Sequence, residues 1–262
     1  MTEMTSYAQG TFSWVELGTT DLADAQRFYG GLFGWEPGEV ATPEGVNYTL
    51  ERLDGHDVVG MYQLLEQQSA QGIRPHWLSY VAVDDVDQTA ERVSGLGGTV
   101  VAPPMDVMDM GRMAVVQDPS GAIFALWEAR NHPGSGMVNE PGSLTWNELA
   151  TRQAHDVAGF YCSLFDWTGE ERQMGPLKYT SFLNGDQPVG GMLQMTEEWG
   201  QMPPNWMVYF AVADCDAAAA RAAELGAAVP VPPTDLPGVG RFALIQDPQG
   251  AMFSIVTMEN QG

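Results

Sequence analysis

Two glutamates are the residues of this sequence with the clearest potential for chemistry. Glu16 and Glu148 each follow a tryptophan, Trp14 or Trp146, by two residues, so carboxylate and indole share one face of an extended strand. A carboxylate in mid-strand among apolar side chains is costly unless it is hydrogen-bonded, and desolvation raises its pKa. Each glutamate is therefore a candidate general base, and the alternative is a structural carboxylate that is bonded to a neighbouring strand.

The two glutamates belong to an internal repeat. The segment that begins at Phe12 aligns with the one that begins at Leu144, and a second aligned pair begins at His76 and Asn205. The two halves are therefore one domain written twice.

A linker separates the halves. Residues 129–143 are rich in Gly, Pro and Asn, which disfavour helices and central strands. The sequence predicts a first domain at residues 1–128 and a second at residues 144–262.

Each half has a second level of order. In the first half, a strand over residues 12–17 leads into an amphipathic helix over residues 22–32 with Asp21 as its N-cap, and three strands follow. The order restarts with a strand over residues 77–83. The pattern predicts two βαβββ units in each half.

Two motifs carry a family resemblance. The first helix ends in FYGGLFGW, and an Asp-Pro-x-Gly turn at residues 118–121 and 247–250 precedes the last strand of each half. The chain resembles the vicinal-oxygen-chelate superfamily, which includes glyoxalase I, extradiol dioxygenases, fosfomycin-modifying enzymes and bleomycin-binding proteins, and within it the two-domain glyoxalase-like proteins of actinobacterial type. The resemblance covers nearly the whole chain and implies an α+β fold, with four βαβββ units forming two tandem domains with cup-shaped mixed sheets.

The resemblance also implies where a metal would bind. Metal-dependent members carry His or Gln seven residues before the helix-capping Asp, and Glu on the last strand. The corresponding positions here are Trp14, Leu78 and Ala125 in the first half and Trp146, Met207 and Ser254 in the second. None of these side chains is a strong ligand for a divalent metal. The expectation is a protein without metal or other cofactor.

The four histidines do not restore a metal site. His76 faces the same side as Leu78, but its repeat partner is Asn205, so a strand-end hydrogen bond is the expected role. The others, at positions 56, 132 and 155, fall in a predicted turn, the linker and the start of a helix.

Period two places aromatic and thioether side chains on the cup faces, where Phe12 and Leu144 are also expected. The predicted ligand contacts are Trp14, Glu16, Met61, His76, Leu78, Tyr80, Met108, Arg112 and Trp127 in the first half, and Trp146, Glu148, Met192, Met207, Tyr209 and Arg241 in the second. The alternative is that these side chains fill the core of the sheets.

Arg112 and Arg241 have two possible roles. Either one could grip a ligand carboxylate or carbonyl at the mouth of a cup. The alternative is ion pairing with Asp106 or Asp118 and with Asp235 or Asp247.

The charge and the apolar pattern exclude several classes of partner. Eleven Lys and Arg against thirty-four Asp and Glu give a net charge of -23, which repels nucleic acids and anionic membranes. Neither a membrane-spanning apolar run nor a secretory signal is present, so a cytoplasmic protein is expected. It is expected to be a monomer or homodimer, with a pathway enzyme as a possible further partner.

Three functions remain open. The first is a metal-free protein that binds a planar hydrophobic or aromatic metabolite, such as an antibiotic or polyketide, for sequestration, self-resistance or biosynthesis. The second is a metal-independent isomerase, epimerase or oxygenation partner that acts on a polyketide or small carbonyl compound, with Glu16 or Glu148 as base. The third, a metal-dependent lyase or dioxygenase, is disfavoured by the missing ligands.

Overall fold

Two eight-stranded mixed sheets, one from each half of the chain, form the protein. The computed structural model describes residues 3–38, 40, 47–174 and 177–259. Four βαβββ units in two tandem domains confirm the predicted α+β fold. Within the described residues, no helix has the length and apolar character needed to cross a membrane.

The first half contains two units and one extra short helix. Its elements are β1 (Phe12–Thr19), α1 (Leu22–Phe33), β2 (Glu36–Gly38), β3 (Tyr48–Leu53), β4 (His56–Gln63), α2 (Glu66–Ala70), β5 (His76–Ala82), α3 (Val86–Gly95), β6 (Thr99–Val107), β7 (Gly111–Gln117) and β8 (Ile123–Ala129). The strand order in the sheet is β2-β3-β4-β1-β5-β8-β7-β6.

The second half repeats this arrangement. Its elements are β9 (Leu144–Thr151), α4 (Ala154–Phe165), β10 (Thr168–Met174), β11 (Leu177–Asn184), β12 (Gln187–Gln194), a 3-10 turn (Glu197–Trp199), β13 (Asn205–Ala211), α5 (Cys215–Glu224), β14 (Ala228–Leu236), β15 (Gly240–Gln246) and β16 (Met252–Met258). The order is β10-β11-β12-β9-β13-β16-β15-β14.

The first strands of the two units meet at the centre of each sheet. In the first half, β1 and β5 are antiparallel, with Trp14 opposite Tyr80 and Glu16 opposite Leu78. Strands β9 and β13 pair in the same way in the second half. Because side chains alternate along a strand, this register brings Trp14, Glu16, Leu78 and Tyr80 onto one face.

Phe12 does not lie on the cup face as expected, because β1 contains a bulge. The pairing of β1 with β5 shifts between Phe12 and Trp14, so the period-two pattern breaks there and Phe12 turns to the other face. Phe12 packs on Trp206 of the second half, with the ring centroids 4.8 Å apart. A shift at the matching position in the second half likewise places Leu144 in the core between the halves.

Helices α1 and α4 each contact the other half of the chain. On α1, Phe33 packs against Phe210 of β13, and the Tyr29 hydroxyl donates a hydrogen bond of 3.0 Å to Asp247. Reciprocally, the Tyr161 hydroxyl of α4 donates to Asp118 at 2.8 Å. Both aspartates belong to the Asp-Pro-x-Gly turns, so each turn of one half is a binding point for the other.

The buried Tyr161 contact gives a stability prediction. Asp118 is buried and its second oxygen is already occupied by backbone N–H groups of its own turn. Tyr161→Phe leaves the other oxygen of Asp118 and the indole N–H of Trp206 without their partner and should lower the free energy of unfolding by about 2 kcal/mol. Urea unfolding measures this change.

The control for this prediction is Tyr62→Phe, which removes the hydroxyl of a partly exposed tyrosine in β4. It should change stability by less than about 0.5 kcal/mol. Equal losses in the two variants would mean that the contact between the halves contributes nothing specific.

Candidate functional site

The first sheet curves around an apolar cup. Five buried side chains form a cluster on its concave face, namely Trp14, Leu78, Tyr80, Ala125 and Trp127. A cavity of about 350 Å³ opens above this cluster. The first cavity is lined by Trp14, Glu16, Val40, Tyr48, Leu50, Tyr80, Met105, Asp106, Val107, Met108, Met110, Met113, Trp127 and His132.

A carboxylate held by two phenols lies at the floor of the first cavity. The Tyr80 hydroxyl donates to Glu16 Oε2 at 2.9 Å, and the Tyr48 hydroxyl hydrogen-bonds to the same carboxylate. Tyr48 in turn is hydrogen-bonded to Trp14. Burial raises the pKa of Glu16, while the two phenol hydrogen bonds oppose that increase.

The second cup repeats this network. The Tyr209 hydroxyl donates to Glu148 Oε1 at 2.9 Å, Tyr179 is hydrogen-bonded to the same carboxylate, and the Trp146 indole N–H donates to the Tyr179 hydroxyl at 3.0 Å. Burial raises the pKa of Glu148 as well. The second cavity measures about 570 Å³ and is lined by Trp146, Glu148, Arg172, Tyr179, Pro188, Tyr209, Leu236, Gly238, Val239, Val256, Met258 and Glu259.

A glycine makes room for one phenol in each cup. A Cβ atom at Gly60 would lie 2.2 Å from the Tyr48 hydroxyl, and one at Gly191 would lie 1.8 Å from the Tyr179 hydroxyl. Any larger residue would therefore displace the tyrosine from its glutamate.

His132 is an unexpected member of the first cavity. Its ring lies edge-on to Trp14, with the ring centroids 4.5 Å apart, and 6.0 Å from Trp127. Its Nε2 atom is buried and has no hydrogen-bond partner. Burial lowers the pKa of His132, although the charge of Asp57 acts in the opposite direction, so the ring is neutral at neutral pH.

Two hydrogen bonds fix the backbone of His132. Its N–H donates to the carbonyl of Met110 at 3.1 Å, and its own carbonyl accepts the indole N–H of Trp127 at 2.9 Å. The following residue is Pro133, which favours extended backbone at position 132. The backbone at His132 is therefore held in place, and the imidazole packs beside the rings of Trp14 and Trp127.

The structure places about half of the predicted contact residues along the cavities. Those that line a cavity are Trp14, Glu16, Tyr80, Met108 and Trp127 in the first half and Trp146, Glu148 and Tyr209 in the second. Leu78 is part of the buried cluster beneath the first cavity. Met207, its repeat equivalent, pairs with Glu148 and is only partly buried.

Met61 and Met192 lie elsewhere, which corrects the expectation for both. They directly follow Gly60 and Gly191 on their strands, so they point to the opposite face. Both are buried in the clusters between the two halves.

His76, Arg112 and Arg241 also lie outside the cavity linings. The His76 Nδ1–H donates to the carbonyl of Arg74, which is the expected strand-end role. The arginines form ion pairs instead of facing a ligand. Arg112 binds Asp87 and Asp106, and Arg241 binds Asp216 and Asp235.

Sequence reasoning missed Tyr48, Tyr179 and His132. The two tyrosines could have been found from the internal repeat, because a Tyr-Thr pair followed by a later Gly-Met pair recurs at residues 48–61 and 179–192. His132 had no such signal, since it belongs to the linker and has no repeat partner.

The residues at the floor of each cup do not fit a divalent metal. Glu16 and Glu148 are the carboxylates there, and each accepts hydrogen bonds from two phenols. Within the described residues, no group of three or more His, Cys, Asp or Glu side chains is arranged to hold a metal ion.

Comparison with known sequences gives the family. The model of the Glyoxalase/Bleomycin resistance protein/Dioxygenase superfamily matches residues 11–126, and that of the glyoxalase-like domain matches residues 146–256. A putative glyoxylase, CFP32, of Mycobacterium bovis is 40% identical over 258 residues, which is 98% of each chain. The chain belongs to this superfamily. The anthracycline biosynthesis protein DnrV of Streptomyces peucetius is 37% identical and covers 97% of this chain and 96% of that protein.

Two solved structures share the fold of this chain. The Mn(II)-bound glyoxalase from Novosphingobium aromaticivorans has a TM-score of 0.65 at 17% identity, with 96% of this chain and 83% of that chain covered. The 2,3-dioxygenase LapB from Pseudomonas sp. KL28 also has a TM-score of 0.65, at 13% identity, with 96% and 93% covered. At such identities the likeness shows the fold alone.

Proposed function

We propose that the first cup binds a planar aromatic metabolite and does so without a metal. The observation that carries this proposal is the first cavity itself. It has the size of a small-molecule site, and its walls are two indoles and several methionines around one network of polar groups.

The wall residues suit a flat apolar ligand. Trp14 and Trp127 offer aromatic faces and edges for stacking, which contributes about 0.5–1.5 kcal/mol beyond the burial of area. Met105, Met108 and Met110 lie along the rim, where their flexible thioethers adapt to ligands of different outline. Met105 and Met108 are exposed, so a ligand that covers them gains apolar contact.

The charges of the first cavity favour a neutral or cationic ligand. The described residues of its lining contain two carboxylates, Glu16 and Asp106, and neither Lys nor Arg. Asp106 is paired with Arg112 and Arg130, so its charge is partly compensated, whereas Glu16 is held by neutral phenols. An anionic ligand would meet repulsion without a compensating cation.

The relatives support a link to natural-product chemistry. Two relatives from Streptomyces carry the name anthracycline biosynthesis protein, and both align with nearly the whole chain. We extend this to the present protein as a proposal that its ligand belongs to the polyketide class or resembles it, with sequestration, self-resistance or an accessory biosynthetic step as the biological role.

Titration of the metal-depleted protein tests the proposal. After dialysis against EDTA, 2-hydroxyanthraquinone should quench tryptophan fluorescence in a saturable manner with a one-to-one stoichiometry at the first cup. Binding that appears only after a divalent metal is added back would contradict the proposal.

The second candidate function is a metal-independent enzyme. The raised pKa of Glu16 favours this candidate, because a buried carboxylate with a raised pKa can act as a general base. If Glu16 were the base, Glu16→Gln should reduce turnover by about 10²–10⁴-fold while affinity stays nearly unchanged. We expect instead that Glu16→Gln changes the binding free energy or the free energy of unfolding by about 1–3 kcal/mol, and that the wild type does not turn the ligand over. Glu148→Gln is the matched control in the other cup.

A further inference from the structure

We infer that the first cup selects aromatic ligands that carry a hydroxyl group, through a hydrogen bond to Nε2 of His132. This inference rests on the proposed function, because it specifies which substituent the bound aromatic molecule must present and where.

The unpartnered nitrogen is the primary observation. Nε2 of His132 is buried in the lining of the first cavity without a hydrogen-bond partner. Leaving a buried polar atom unpaired costs free energy, so a ligand atom that hydrogen-bonds to it recovers that cost on binding. An apolar ligand at the same place would keep Nε2 unpaired.

The neighbours of His132 leave this hydrogen bond to the ligand. Its ring is flanked by the indoles of Trp14 and Trp127, and the Trp127 N–H is already bound to the His132 carbonyl. Glu16 at the floor is engaged with Tyr48 and Tyr80. A flat ring beside Trp14 therefore lies next to a wall residue whose buried Nε2 atom has no partner, in addition to the network at the floor.

A hydroxyl group matches a neutral imidazole in either tautomer. If Nε2 lacks a proton it accepts from the ligand O–H, and if it carries one it donates to the ligand oxygen. Because the ring of His132 already packs against the rings of Trp14 and Trp127, little side-chain freedom is lost when the bond forms.

The two cups differ in this feature. Among the described residues, those that line the second cavity include Arg172 and Glu259 but no histidine. The hydroxyl preference should therefore belong to the first cup alone, although both cups share the same floor network.

A matched set of naphthalenes tests the inference by calorimetry. The probes are 2-naphthol, which donates and accepts, 2-methoxynaphthalene, which only accepts, and 2-methylnaphthalene, which does neither. The proteins are the wild type, His132→Phe, His132→Gln and the control His76→Phe, which changes a histidine outside both cavities. The wild type should bind 2-naphthol about fivefold or more tightly than 2-methylnaphthalene.

The variants test whether the preference for the hydroxyl group depends on Nε2 of His132. His132→Phe should bind 2-methylnaphthalene at least as well as the wild type and lose the preference, His132→Gln should retain part of it, and His76→Phe should match the wild type. Equal affinity of the wild type for 2-naphthol and 2-methylnaphthalene, or a preference that survives in His132→Phe, would overturn the inference. Absence of binding for all three probes would instead overturn the proposed function.

Discussion

Replacing Trp14 with leucine is expected to weaken binding of 2-hydroxyanthraquinone to the first cup by at least about tenfold. Trp14 lines the first cavity and contacts His132, so the variant loses both the stacking energy and part of the apolar area that covers the ligand. Leucine retains an apolar side chain on the cup face, which limits the damage to the fold. Fluorescence of the remaining tryptophans or calorimetry measures the affinity.

Trp146→Leu is the matched control, since it makes the same change in the second cup, where Trp146 occupies the equivalent position above Glu148. It should leave affinity at the first cup within about twofold. If Trp14→Leu and Trp146→Leu both bind the ligand as tightly as the wild type, the two indoles only fill the core, and the ligand site lies elsewhere.

Replacing Gly191 with alanine should have the largest effect on the floor network. The new Cβ would lie 1.8 Å from the Tyr179 hydroxyl and 2.4 Å from its ring carbon, so the ring must leave its place. Glu148 then loses one donor, and the indole N–H of Trp146 loses its acceptor. We expect a loss of about 1–3 kcal/mol in the free energy of unfolding, and the same for Gly60→Ala in the first cup.

Two comparisons show whether this loss comes from Tyr179. Gly159→Ala is the control, because Gly159 lies within α4 with open space around it, and alanine there should stabilise the helix by about 0.5–1 kcal/mol. In a Tyr179→Ala background, Gly191→Ala should cost little, because the side chain that it displaces is gone. Additive effects of the two substitutions would contradict the proposed arrangement.

The sequence predicted the fold and part of the shared floor of the cups, but not Tyr48 and Tyr179. The repeat identified four units, and period two brought Trp14 and Glu16 onto the same face as Tyr80, which is where the structure places them. The shared face of Trp14, Glu16 and Tyr80 was predictable because side chains alternate along every regular strand, and only an irregularity such as a bulge changes that alternation.

Such an irregularity explains why Phe12 was misplaced. The bulge between Phe12 and Trp14 adds a residue to β1, and the displaced ring is stabilised by Trp206 of the other half. That partner is distant in the sequence, so a local pattern could not reveal it. Met61 and Met192 were misplaced for a related reason, because both faces of β4 and β12 are covered.

His132 shows a different limit of sequence reasoning. A linker residue has no periodicity to fix its direction, and its place in the first cavity depends on hydrogen bonds of its backbone to the Met110 carbonyl and the Trp127 indole. The cups consequently share a floor and differ at the wall.

A native mass spectrum of the protein purified gently from its own cells tests the central claim most directly. We predict a population whose added mass corresponds to an organic molecule of aromatic class, lost in Trp14→Leu, together with protein that holds no stoichiometric metal. One tightly held Mn, Fe, Ni or Zn ion in each half, in place of an organic ligand, would contradict the account.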